Sequence, residues 1–117
     1  MESDFVVRFN RKKQFFEVYL WEVHPTTFKN WGGGRWGYWD DTRENDRAGK
    51  FGEMHFVKGR LRYDTIVHEI DHLRTDYMWC RGFTITRTNE ERMAKLLDEL
   101  VRKFIRELRK KEPRIKL

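Results

Sequence analysis

The hydrophobic pattern begins with two short runs rich in valine and aromatic residues. These runs are DFVVRF (4–9) and QFFEVYLWEV (14–23), and the polar stretch NRKKQ lies where they meet. β-branched and aromatic residues favour strands, and a few polar residues between two such runs are typical of a hairpin. The pattern therefore predicts two antiparallel strands joined by a short turn.

The next segment, from about His24 to Lys50, is dominated by turn-forming residues and is predicted to be a loop. Its GGGRWG stretch (32–37) matches the G-x-G-x-x-G motif of dinucleotide-binding sites. Such a site needs a helix after the motif, but the segment that follows, YWDDTREND, is typical of a turn. We therefore expect no dinucleotide site here. GEMHFVKG (52–59), bounded by glycine on both sides, is predicted to be the next strand.

Two helices are predicted after this strand. The first begins with Asp64 as its N-cap, runs to about Trp79 and stops at Gly82. The second begins after Thr88 or Asn89 and ends before Pro113. Its apolar positions recur on one helical face: Met93, Leu96, Leu97, Leu100, Val101, Phe104, Ile105 and Leu108.

This element order predicts an α+β fold, with a small, mainly antiparallel sheet packed against two helices. We expect one domain over residues 1–117, from which the basic end at 109–117 is free to extend. Charged and hydrophobic residues each make up 38% of the chain, which is typical of a soluble globular protein. There is no 18-residue apolar run and no signal-peptide pattern, so we expect a cytoplasmic protein without a membrane segment.

The positive charge is unevenly spread along the chain. Residues 100–117 contain eight Lys and Arg against two Glu, and the whole chain has a net charge of +6. Such a tail suits nucleic acid or an acidic partner. The simpler interpretation, which we favour, is a solvated helix end whose cations complement the helix dipole.

The motif that carries chemistry is H-E-x-x-H in the first helix, formed by His68, Glu69 and His72. Residues four apart on a helix point in nearly the same direction, so the two imidazoles face one point, where they are suited to hold Zn²⁺. Glu69 projects beside them, which suits a general base for a metal-bound water. The alternative is a pair of ordinary surface or core histidines. Catalytic zinc usually has three protein ligands, and the start of the next helix offers Glu90 and Glu91.

At these residues the chain resembles the zincin metallopeptidases in their glutamate-ligand (gluzincin) form. HEIDHLRTDY is similar to their motif helix, and NEERMAKLLDELV is similar to the helix that brings their third ligand. The small size and the strand just ahead of the motif resemble the short phage-type metallopeptidases more closely. The resemblance implies Glu91 as the third ligand, with Glu90 as the alternate. Lys95 departs from the pattern, because such families often have Asp or Asn four residues after the ligand.

The resemblance implies zinc-dependent hydrolysis of peptide bonds, with a protein or peptide as the substrate. We expect GEMHFVKG to be an edge strand beside the metal, where an extended peptide pairs with it near His55 and Phe56. The competing hypothesis is a non-enzymatic regulator from a phage or mobile element on the same fold, which binds nucleic acid through its basic tail. The sequence does not choose a substrate or an oligomeric state.

Overall fold

The computed structural model describes residues 2–22, 34–38, 49–82 and 85–117, with β3 described by its backbone alone. Most of the predicted loop, and the start of the GGGRWG stretch, lies outside the described residues. The elements in chain order are β1 (Phe5–Phe9), β2 (Gln14–Trp21), β3 (Gly34–Tyr38), β4 (Lys50–Val57), a 3₁₀ turn (Lys58–Arg60), α1 (Tyr63–Cys80) and α2 (Glu90–Lys111).

The strands form one four-stranded sheet in the order β1-β2-β4-β3. The hairpin prediction is confirmed, since β1 and β2 are antiparallel. β2 and β4 are parallel and β3 is antiparallel to β4, so the sheet is mixed. β3 was not anticipated, because its GRWGY sequence has two glycines and only two aromatic residues. The α+β class is confirmed.

The turn between β1 and β2 has an unusual backbone. Asn10, Arg11 and Lys12 have φ values of 52°, 56° and 67°, in the left-handed region that non-glycine residues seldom adopt. Gly49 lies against this turn with a φ of 93°, and a Cβ there would lie only 2.6 Å from the Lys13 carbonyl oxygen. The close approach of two backbones therefore requires glycine at position 49.

Both helices cover one face of the sheet. The fully buried Ile66, Ile70 and Leu73 of α1 belong to the same apolar cluster as Leu100 and Phe104 of α2. The sheet contributes to it Val7, Phe9, Phe16, Val18, Leu20, Met54 and Phe56. Alternation along β2 and β4 turns every second residue to this face, which is why the strand residues of the cluster lie mostly two apart.

The helix ends differ slightly from those predicted. The N-cap of α1 is Arg62, and Asp64 lies in the first turn, where its Oδ1 accepts a hydrogen bond from the Thr65 N–H at 2.9 Å. Gly82 follows the C-cap with a φ of 73°, as predicted for a helix stop. α2 begins after Asn89 and ends before Pro113, also as predicted. In the described part of the chain, no helix is both long and apolar enough to cross a membrane.

Phe104 joins α2 to three strands. Its ring centroid lies 5.4 Å from that of Phe5, 6.5 Å from Phe16 and 5.6 Å from Phe56, on β1, β2 and β4 respectively. A single side chain of α2 thus contacts every strand of the sheet except the β3 edge. The fixed position of α2 on the sheet depends strongly on these contacts.

We expect Phe104→Ala to lower the free energy of unfolding by about 3–5 kcal/mol, since it removes a fully buried ring and leaves a cavity. Urea denaturation measures the change. The control is Lys111→Ala at an exposed position of the same helix, which should change the free energy by less than about 0.5 kcal/mol. Equal effects of the two substitutions would show that Phe104 is not central to the core.

Candidate functional site

The rotation of α1 about its axis decides which of its side chains reach solvent. Ile66, Ile70 and Leu73 are completely buried against the sheet. Because successive residues are about 100° apart around a helix, this leaves positions 68 and 72 on the far side. His68 and His72 are both exposed, which agrees with that placement.

The two imidazoles converge. The Nε2 atom of His68 lies 3.2 Å from the Nε2 atom of His72. The rings are nearly perpendicular, with an angle of 88° between their planes and 4.7 Å between their centroids. The prediction that these side chains face a common point is therefore met by the geometry, and the point lies at the protein surface.

This separation suits a metal ion. Two zinc–nitrogen bonds of about 2.0–2.1 Å at a tetrahedral angle place the nitrogen atoms about 3.3 Å apart. The observed 3.2 Å is close to that value. It is also a distance at which one neutral imidazole donates its Nε2–H to the other. The separation of the two nitrogen atoms thus fits either a shared metal ion or a direct hydrogen bond between the rings.

Glu69 is turned partly inward. Its side chain is 6% exposed, at the margin between the core-facing residues and the histidines. It lies about 60° round the helix axis from His72 and about 100° from His68. This is the adjacent placement that the motif predicts for a base, although Glu69 is less open to solvent than the imidazoles.

In the part of the chain that the structure describes, neither Glu90 nor Glu91 completes a group of three metal ligands with the two histidines. α1 faces α2 through Arg74, whose Nη1 donates to the Met93 carbonyl oxygen at 3.4 Å. His68 and His72 lie about 120° and 160° round the axis from Arg74. Both glutamates are exposed in the first turn of α2. Among the described residues, no group of three His, Cys, Asp or Glu is placed to hold a metal ion.

The proposed substrate residues also lie elsewhere. β4 is flanked by β2 and β3, so its prediction as an edge strand is wrong. Phe56 is completely buried in the core under the helices. His55 is on the opposite face of the sheet, where its ring stacks on Tyr19 at 4.6 Å between centroids. Neither residue is therefore placed to meet a peptide at the imidazole pair.

That opposite face carries a buried polar network. The Lys50 ammonium lies 2.7 Å from Glu17 Oε1 and 2.8 Å from Glu53 Oε2. Glu53 Oε1 lies 3.0 Å from His55 Nε2, and His55 Nδ1 lies 3.0 Å from the Trp21 indole nitrogen. Glu17 and Lys50 are only 3% and 2% exposed. The hydrophobic pattern of the chain does not predict this network, and its one signal in the sequence is a glutamate inside the apolar run QFFEVYLW.

The hydrogen bonds indicate the tautomer of His55. An indole N–H is only a donor, so Nδ1 of His55 must accept from Trp21 and cannot carry a proton. Nε2 then carries the ring proton and donates it to Glu53. Burial raises the pKa of the Glu53 carboxyl, but the hydrogen bonds from Lys50 and His55 and the positive charge of Lys50 bring the pKa below its usual value.

No family model, curated protein or solved structure matches the chain. The assignment of the site therefore depends on its own residues and their geometry. Two constellations stand out: the exposed imidazole pair of α1, beside Glu69, and the buried network on the far face of the sheet. Only the imidazole pair combines exposed ligand atoms with the spacing that a metal ion needs.

We expect the stability of the fold to fall with pH below about 4.5, the usual pKa of a glutamate, partly through Glu53. A carboxyl whose pKa is lower in the folded state stabilises the fold above its unfolded pKa. That contribution is lost as the pH falls through the folded value.

The measurement is urea unfolding between pH 3 and 6. Glu53→Gln should flatten the dependence on pH, since the amide does not titrate, whereas the exposed control Glu2→Gln should not. The same slope in Glu53→Gln and the unmodified protein would exclude this role.

Proposed function

We propose that this chain is a zinc-dependent hydrolase of peptide bonds, with His68 and His72 as metal ligands and Glu69 as the general base. The observation that carries the proposal is the 3.2 Å separation of two exposed Nε2 atoms with a glutamate one position away. Zinc held there would lower the pKa of a bound water and polarise the scissile carbonyl. The base accepts the water's proton and returns it to the leaving nitrogen.

Glu90 and Glu91 have no part in this proposal. No group of three metal ligands among the described residues includes them, and their charges suit the positive end of the α2 dipole. The described residues thus supply two ligands, so we expect weaker zinc binding than a complete three-ligand site gives. Zinc is still the favoured metal, because imidazole nitrogen is among its preferred ligands.

The edge of the sheet supports a peptide as the substrate. α1 packs over β3. Among the described strands, β3 pairs with β4 and has no partner on its other side. A free strand edge binds an extended peptide through backbone hydrogen bonds, without requiring particular side chains. We therefore expect the peptide substrate to pair with β3 and not with β4. β3 lies on the same side of the fold as α1.

The metal ligands are tested by titration with zinc. We expect one zinc per chain, with binding lost in His68→Ala and His72→Ala because each removes half of the protein ligands. Glu91→Gln and Glu90→Gln should leave the affinity unchanged. A drop of tenfold or more in either glutamine variant would show that the substituted glutamate is a third ligand.

The base is tested by Glu69→Gln, assayed against unfolded casein and fluorogenic peptides with zinc present. We expect hydrolysis to fall by about 10²–10⁴-fold, because the amide cannot accept a proton, while zinc stays bound. Glu90→Gln, the same chemical change at an exposed position, is the control. Full activity in Glu69→Gln would rule out the proposed mechanism. Thermal unfolding of each variant separates loss of catalysis from loss of fold.

A further inference from the structure

Away from the imidazole pair, a cleft opens between the β1–β2 turn, the end of α1 and the start of α2. It encloses about 440 Å³. Four cationic side chains line it, namely Arg11, Arg81, Arg92 and Lys95. Within the described part of the chain, none of the four forms an ion pair with a carboxylate. Their charges are therefore available to a partner.

A second cleft of about 220 Å³ adjoins the first at the same turn. Arg11 lines the first cleft and the next residue, Lys12, lines the second. Arg8, Lys103 and Arg106 supply further positive charge there. The backbone of the turn is left-handed, with φ of 56° at Arg11 and 67° at Lys12. These two neighbouring residues thus contribute one cation to each cleft. Such backbone strain is concentrated at functional positions in many proteins.

Together the two clefts form what we call the basic track, defined by eight Lys and Arg side chains: Arg8, Arg11, Lys12, Arg81, Arg92, Lys95, Lys103 and Arg106. Only two acids, Glu99 and Glu107, line the clefts. The surplus of six positive charges equals the net charge of the whole chain, +6. Each acid also has a lysine partner, Lys103 at 2.8 Å and Lys110 at 3.0 Å respectively.

The track is extended in shape. Its α2 members Arg92, Lys95, Lys103 and Arg106 lie on one flank of the helix, within an arc of about 80°. From Arg92 to Arg106 the helix rises by 14 steps of 1.5 Å, a distance of about 21 Å. A line of cations of this length suits a polymer with repeating negative charge better than a single small anion.

The first cleft also has an apolar floor. Tyr77 and Leu96 line it and are half-buried. The Arg81 guanidinium lies 5.5 Å from the centre of the Tyr77 ring. An aromatic ring and a planar guanidinium both stack on nucleic-acid bases, and cations beside them pair with phosphates. The Asp and Glu side chains that give an acidic peptide its charge have no ring to stack there.

We propose that the basic track binds single-stranded nucleic acid, with phosphates on its Arg and Lys side chains and a base in the cleft over Tyr77 and Leu96. This binding is independent of the proposed hydrolysis at His68 and His72. It also differs from binding through the basic tail at 109–117, where Arg109 donates to the Ile115 carbonyl oxygen and Lys110 pairs with Glu107.

The test is fluorescence anisotropy with a labelled 20-nucleotide oligo(dT), measured at salt concentrations from 50 to 300 mM. The track variant is Arg92→Glu with Lys95→Glu, and the matched tail variant is Arg114→Glu with Lys116→Glu. All four residues are exposed, and both variants change the net charge equally. Circular dichroism and thermal unfolding check that each variant is folded.

We expect the track variant to lose affinity by tenfold or more and the tail variant by less than threefold. The slope of log affinity against log salt should also become shallower by about 1.4 in the track variant, since each lost single-strand phosphate contact contributes about 0.7. Equal losses in both variants, or no binding by the unmodified protein at 50 mM salt, would overturn the proposal. So would tighter binding of duplex DNA, or equal competition by poly-glutamate.

Discussion

The rotation of α1 about its axis is the constraint on which the rest of the site depends. Ile66, Ile70 and Leu73 are completely buried, and no other rotation places all three against the sheet. That one orientation sends His68 and His72 to the surface, and it keeps Glu69 at the margin of the core. It also turns Arg74 towards α2. The core packing thus sets the geometry of the imidazole pair.

The two faces of the sheet have different chemistry because strand residues alternate. On the helix side the rings of Phe16, Phe56 and Phe104 pack together. On the far side Lys50 links Glu17 to Glu53 in a place where each charge would be costly alone. The central strands β2 and β4 are parallel, and their register places Glu17 opposite Glu53. Both carboxylates therefore lie within reach of the Lys50 ammonium. The fold therefore has an apolar core on one side and an ionic layer on the other.

Positive charge and candidate catalysis lie on different parts of the surface. The imidazole pair is on the exposed side of α1, whereas the basic track follows the β1–β2 turn and one flank of α2. Along the chain, the cations of the track are scattered from residue 8 to residue 106. The sequence concentrates its surplus charge after residue 100, but in space the turn and the helix flank carry a surplus of the same size. A protein so arranged has room for two partners.

The sequence alone determined the hairpin, the strand at β4, both helices and the convergence of His68 on His72. These features follow from periods of two or about 3.6 residues, which are local properties of the chain. Only the tertiary structure decided the neighbours: that β3 flanks β4 and takes the sheet edge, and that Glu17 meets Lys50. Those outcomes depend on how distant segments pack, and no local period in the sequence encodes which flank of one helix meets another.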